Sequence, residues 1–227
     1  MKTTRGGYDG KGQYVLYSTA DLAPSMNLLR EGTCELEAWI PYEKELSIMV
    51  AGNGREITTF PVVENIHRNN ILHQTIAPAR IDSEVAEEAE RIARVIAQAL
   101  DLRGVLAIEL FLTKSGGLYV NELAPRPHNS GHYSIEACSM SQFDAHVRGI
   151  CGWPLAEVKL LSDAVMVNIL GDELIETYDL IAHKPDWQFH YYGKEEAKSG
   201  RKMGHITLLT EDITASLEEI YQTNIWD

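Results

Sequence analysis

Apolar residues recur at helical spacing along one long stretch of this chain and at strand-like spacing elsewhere. Val85, Ala89, Ile92, Ala93, Ile96 and Leu100 share one helical face, and Glu87, Glu88 and Arg91 fall on the other. Asp82-Ser83 precede them as a cap, so the pattern predicts a helix from 83 to 100. Ahead of it, residues 34–40 and 45–50 read as a strand and its return around Pro41-Tyr42-Glu43. Residues 57–63 read as a third strand after the turn Gly52-Asn53-Gly54. Such a meander predicts an antiparallel sheet. Behind the helix, 104–113 and 118–122 read as strands joined by Lys114-Ser115-Gly116-Gly117. A polar loop covers 124–131, and short helical patterns follow at 133–138 and 142–150. From Pro154 the pattern changes to short strands, 164–169 and 205–209, and a last helix near 214–221. Trp153-Pro154 marks a soft boundary.

Composition narrows the class. The chain has 227 residues, enough for one large domain or two small ones. Its formal net charge of -13 argues against a general affinity for nucleic acid or anionic membrane. An anionic ligand must therefore be gripped by local donors. No apolar run is long enough to span a bilayer. Met1 is followed by Lys-Thr-Thr-Arg, which reads as the absence of a signal peptide. Cys34, Cys138 and Cys151 are an odd number without metal-ligand spacing, as expected of reduced thiols in a cytoplasmic protein.

The candidate chemistry begins near the start. Residues 6–12 hold four glycines in seven positions, flanked by Lys2, Arg5 and Lys11. Backbone N–H groups of such a segment can turn inward around an anion, as in a lid over polyphosphate. The alternative is a disordered glycine-rich terminus. Glu109 and Glu122 carry more information. If residues 114–117 form the turn, Thr113 pairs with Leu118, and counting back sets Glu109 opposite Glu122. Glu109 then sits in a strand that is apolar on both faces. Two like charges there need neutralising, by a shared proton or by magnesium, with Asn121 as a further oxygen donor. A register slip of one residue would turn one Glu to solvent. The following loop, Asn121-Glu122-Leu123-Ala124-Pro125-Arg126-Pro127-His128-Asn129-Ser130-Gly131-His132, is stiffened by two prolines and dense in donors. Lys194, Lys198, Arg201 and Lys202 form a second basic cluster, which is either a phosphate site or a solvated charge run.

Three segments together carry a resemblance: Lys2 with Arg5-Gly6-Gly7-Tyr8-Asp9-Gly10-Lys11-Gly12-Gln13, the 121–133 loop, and Gly200-Arg201-Lys202-Met203-Gly204-His205. In order and over essentially the whole chain, they resemble the N5-carboxyaminoimidazole ribonucleotide synthetases of the ATP-grasp superfamily. The resemblance implies an α+β ATP-grasp fold: a partial lid over 1–36, a nucleotide- and metal-binding subdomain over 37–153, and a small β-rich C-terminal domain over 154–227. It implies a chain without the family's Rossmann-like first domain and part of its lid. The implied reaction joins bicarbonate to aminoimidazole ribonucleotide, through carboxyphosphate and at the expense of ATP, in purine biosynthesis. The implied form is a homodimer at full length. Lys2, Gly7, Tyr8, Asp9, Gly10, Lys11, Gly12 and Gln13 would hold ATP phosphates. Glu37, Ala38, Trp39 and Ile40 would meet adenine, Glu45 the ribose, and His67 the nucleotide. Glu109 and Glu122 would bind magnesium beside Asn121. Arg126, His128, Asn129 and Lys202 would serve catalysis. With Lys194, Arg201, Tyr8 and Lys11 they would hold bicarbonate, carboxyphosphate or the ribonucleotide. Two other readings compete: an ATP-grasp ligase with a different acceptor, and a non-catalytic nucleotide-binding fragment.

Overall fold

A computed structural model describes residues 1–6 and 11–226. The chain divides into two units, Met1–Pro41 with Asn69–Ile71, and Tyr42–Arg68 with Leu72–Asp227.

In the first unit, β1 (Lys2–Thr3) pairs antiparallel with β2 (Cys34–Glu35), with Lys2 opposite Glu35. Between them lie short helical turns and α1 (Leu22–Ser25). Ser18 and Asp21 start this helical run with a reciprocal capping box, Ser18 Oγ accepting from the Ala20 N–H and Asp21 from the Ser18 N–H. The expected strand over 34–40 stops at Glu35, and residues 36–40 have no sheet partner. Leu36 and Trp39 are 69% and 66% exposed, so this segment has no apolar face to bury. It does not return along 45–50.

The second unit is built on one nine-stranded sheet. Its strands are β3 (Tyr42–Asn53), β4 (Ile57–Thr59), β5 (Val63–Arg68), β6 (Ile71–Ala77), β7 (Arg103–Thr113), β8 (Leu118–Ala124), β9 (Asp163–Leu170), β10 (Trp187–Tyr191) and β11 (Lys202–Thr210). Their order is β10-β11-β9-β6-β5-β3-β7-β8, with β4 beside β3. The expected strand over 57–63 splits into β4 and β5 around Pro61, which has no N–H for the ladder. In this unit three elements went unread in the sequence. One is β6, whose His73, Gln74 and Thr75 are all buried, which erases the polar–apolar alternation. The others are α5 (Leu174–Leu180), short for a periodicity signal, and β10, which does alternate.

The helix expected at 83–100 is α2 (Ser83–Ala99). Its buried residues are Ala89, Ala93 and Ala97, and it packs on Leu46, Ile48, Val50, Leu106, Ile108 and Leu110. Each large aliphatic side chain buried there contributes about 1.5–3 kcal/mol. Leu100 caps the helix and is exposed. On the opposite sheet face, Met49, Ala51, Val105 and Ala107 pack with Phe60, Tyr133 and Ala145. Here α4 (Gln142–Ile150) crosses the strands after the short α3 (Ser134–Ala137). A Cβ at Gly149 would lie 2.4 Å from the Gly52 carbonyl oxygen, so glycine permits that crossing. A third core joins Val165, Val167, Ile169, Trp187, Ile206 and Leu208 to Ile220 of α6 (Ile213–Tyr221). The C-terminal segment thus has its own core while its strands extend the same sheet.

Candidate active site

The β7–β8 hairpin sets Glu109 directly opposite Glu122. The path to that register differs from the count above. The turn is one residue shorter: the Thr113 N–H donates to the Gly117 carbonyl at 3.0 Å, with Gly116 at φ 81°. Leu112, not Thr113, therefore faces Leu118. A bulge at Asn121 then restores the lost residue, because Leu110 faces Val120 whereas Glu109 faces Glu122.

These carboxylates crown a sheet face that changes character along its strands. Ser47 on β3 lies opposite Glu109 on β7 and Val63 on β5, and Glu45 lies opposite Phe111 and Asn65. Asn65 donates to Ser47 Oγ at 2.8 Å and accepts from Thr75 at 3.0 Å, which fixes this buried polar row. His67 Nδ1 stands 2.9 Å from Glu45 Oε2. Burial raises the Glu45 carboxyl, but His67 and Tyr42 outweigh it and leave it below the usual range. Glu109 moves the other way. Burial and then the Glu122 charge push its carboxyl up, against a smaller pull from His67 and an Asn121 amide 3.5 Å away. Among the described residues, no cluster of three or more His, Cys, Asp or Glu forms a closed metal cage. A two-carboxylate site fits magnesium instead, since magnesium keeps waters and phosphate oxygens as its other ligands. The crowding of Glu109 against Glu122 is what such a cation would relieve.

Beside the carboxylates lies a pocket of about 300 Å³. Its walls come from the loop, with Arg126, His128, Asn129 and His132, from the segment leaving β10, with Tyr192 and Lys194, and from Lys202 at the start of β11. His128 Nε2 stands 3.5 Å from Glu109 Oε1 and joins the two halves. Gln142 holds the loop. Its Oε1 accepts from the His128 N–H at 2.8 Å, and its Nε2 donates to the His128 carbonyl at 2.8 Å. A Cβ at Gly131 would lie 2.6 Å from that amide oxygen, so the seat requires glycine. Burial first, then the charges of Arg126 and Lys202, push His128 down to about 4, leaving a neutral imidazole. Both amide atoms of Asn129 are buried without a hydrogen-bond partner among the described residues, as expected of a group that meets a ligand.

The other sequence candidates fall as follows. Arg201 is off the pocket wall, its guanidinium donating to the Glu196 carbonyl at 3.0 Å. In the first unit, Lys2 bridges to Gln13, the Thr3 N–H donates to the Gly12 carbonyl, and Lys2 Nζ lies 2.6 Å from Glu37. Ala38, Trp39 and Ile40 follow Glu37 in the unpaired segment, and Lys11 is exposed. Gly7, Tyr8, Asp9 and Gly10 lie outside the described residues. Sequence reasoning missed Tyr192, Gln142 and any role for His132. Only the donor density of the loop pointed near His132.

The site thus sets a half-buried Glu109 against an exposed Glu122 on the edge strand, beside a pocket lined by Arg126, Lys194 and Lys202. Residues 1–143 match the ATP-grasp domain family, and the chain belongs to that family. Residues 164–219 match the phosphoribosylaminoimidazole carboxylase C-terminal domain. The N5-carboxyaminoimidazole ribonucleotide synthase of Bacillus subtilis is 48% identical over all of this chain, which spans 59% of that protein. The ADP complex of an N5-carboxyaminoimidazole ribonucleotide synthetase superposes with a TM-score of 0.95 at 50% identity, covering 100% of this chain and 60% of that one. The Aspergillus clavatus synthase in complex with ADP and 5-aminoimidazole ribonucleotide superposes at 0.88 with 32% identity, covering 94% and 59%. The chain thus spans about 60% of the length of these relatives.

Proposed function

We propose that this chain supplies the ATP-grasp and C-terminal parts of a ligase of purine biosynthesis, a homodimer at full length, that carboxylates 5-aminoimidazole ribonucleotide with bicarbonate. A bicarbonate oxygen attacks the γ-phosphorus of ATP, ADP leaves, and carboxyphosphate forms. The amine nitrogen then attacks the carboxyl carbon, inorganic phosphate leaves, and the nitrogen loses its proton. The observation that carries this reading is the contact of unlike halves. Cation-seeking Glu109 meets the oxyanion pocket at His128, 3.5 Å away.

Lys2 and the glycine segment through Gln13 would cover the ATP phosphates. Residues 37–40 would meet adenine, and Glu45 and His67 the ribose end. Glu109, Glu122 and Asn121 would hold magnesium, which would supply charge stabilisation at the transferring phosphoryl group. Arg126, Lys194 and Lys202, with Arg201 nearer the rim, would hold carboxyphosphate and the ribonucleotide phosphate. His128, being neutral, would act as a hydrogen-bonding or proton-accepting group rather than a fixed cation. Asn129 would spend its unpaired donor and acceptor on bicarbonate. Closing such a site excludes water from a labile acyl phosphate.

Calorimetric titration of ATP with magnesium tests the reading, on the chain alone and with a relative's first domain supplied separately. Phosphate release should then depend on both bicarbonate and aminoimidazole ribonucleotide. Absence of nucleotide binding in both formats would overturn the ligase reading. Release with a different acceptor would transfer it to another ATP-grasp ligase.

A further inference from the structure

Three imidazoles stack behind the pocket. His205 lies between His132 (ring centres 4.5 Å apart, planes 9° apart) and His190 (4.5 Å, 15°). The β10–β11 register sets His190 directly opposite His205, and Glu136 takes the His190 Nε2 contact at 2.6 Å. The hydrogen bonds around the stack decide which nitrogens carry protons.

For His132 the decision comes from Gln142. Its amide orientation is set by the two-point contact with the His128 backbone, because a flipped amide would face N–H to N–H and oxygen to oxygen. The second N–H of that amide points to His132 Nδ1 at 3.1 Å. Nδ1 is therefore an acceptor, and neutral His132 carries its proton on Nε2. His132 lines the pocket.

For His205 the decision comes from counting donors. Its Nδ1 lies 2.8 Å from the Tyr192 hydroxyl, and its Nε2 is buried without a partner among the described residues. Were Tyr192 the donor, the His205 proton would sit on Nε2 as a buried, unpaired N–H. With His205 donating from Nδ1, only a lone pair goes unpaired, and the Tyr192 hydrogen is released toward the pocket that Tyr192 lines. The second arrangement leaves no donor orphaned. Burial, with the neighbouring imidazoles, keeps both rings neutral.

We propose that Gln142 and His205 are positioning residues that fix His132 Nε2–H and the Tyr192 hydroxyl as donors to an oxyanion, phosphate or bicarbonate, held between Arg126 and Lys202. The ligand class rests on the proposed function; the proton placement does not. An oxyanion offers acceptors, so a wall presenting lone pairs would repel it. Two neutral groups of fixed polarity add donors without adding charge to a pocket already holding three cations.

Long-range 15N–1H correlation of the histidine rings at neutral pH tests the placement with no ligand present. The expected result is opposite tautomers in one stack, Nε2–H for His132 and Nδ1–H for His205. A proton on His205 Nε2 or on His132 Nδ1 overturns the proposal. Inorganic phosphate and bicarbonate are then titrated separately, which tells the two oxyanions apart. Tyr192→Phe should weaken the bound anion about tenfold, as should His205→Leu. His205→Asn, whose amide offers a donor near the Nδ1 position, should restore most of the affinity. Wild-type affinity for both anions in Tyr192→Phe, or equal loss in His205→Asn and His205→Leu, overturns the proposal. The expected tautomers and the tenfold loss, without any ATP-dependent phosphate release, would keep this proposal and remove only the proposed function.

Discussion

Glu64 and Glu109 pair with consecutive residues of β3, Leu46 and Ser47, and so lie on opposite faces of one sheet. The face under α2 neutralises its carboxylate from within. Glu64 receives Lys44 at 3.0 Å and Arg80 at 2.6 and 3.0 Å. Burial raises the Glu64 carboxyl, yet Arg80 and Lys44 together hold it below the usual range. The other face gives Glu109 a second carboxylate, an amide at 3.5 Å and a neutral imidazole at 3.5 Å. Folding alone would favour the first solution on both faces. The deficit on the second face has a use only if something positive arrives, which separates a structural carboxylate from a functional one.

The largest test of that distinction is Glu122→Ala. Glu122 is exposed and on an edge strand, so the fold should survive. Calorimetry should show magnesium-ATP affinity falling by at least about 100-fold. Near-normal affinity would place the metal elsewhere.

Glu64→Gln should act on stability instead. Leaving Lys44 and Arg80 without their carboxylate costs roughly 2–3 kcal/mol, less than for a fully buried pair because Arg80 keeps access to water. The pH sign follows from the depressed pKa. Stability from Glu64 is present above the usual carboxylate range and is lost as pH falls through the lowered folded value. Urea unfolding between neutral and acid pH should show a flatter acid limb in the variant. An unchanged limb would deny Glu64 its structural role.

How far these two faces were legible in sequence differs for physical reasons. The opposition of Glu109 and Glu122 was readable because strand registers can be counted, although a shorter turn and the Asn121 bulge cancelled to give it. The Glu64 cluster was not singled out, since its cations come from sites 20 and 16 residues away, brought close only by the sheet and the segment after β6. The loop residues Arg126, His128 and Asn129 stood out by donor density. Tyr192 and His205 did not, because their ring contacts with His132 join distant segments, Tyr192 just after the unread strand β10 and His205 on β11.

Lys202→Ala probes the basic half. It should weaken inorganic phosphate about tenfold and magnesium-ATP less, if the pocket serves an oxyanion apart from the nucleotide. Equilibrium titrations of both ligands decide it. The reverse ranking would move Lys202 into the nucleotide site.

The smallest effect is the most discriminating. Glu109→Gln keeps the shape of the side chain and removes one of two facing charges. On a face with an unmet deficit, that substitution should stabilise the metal-free protein by about 1 kcal/mol, a rise of roughly 2–4 °C in Tm for a chain of this size. It should also weaken magnesium-ATP, because one ligand charge is gone. Glu64→Gln should lower Tm without touching nucleotide affinity. Scanning calorimetry on both variants, with and without magnesium-ATP, gives four numbers with opposed signs. If Glu109→Gln instead lowers Tm in the metal-free protein, the carboxylate is already satisfied by its own chain, as Glu64 is, and the difference between the two faces disappears.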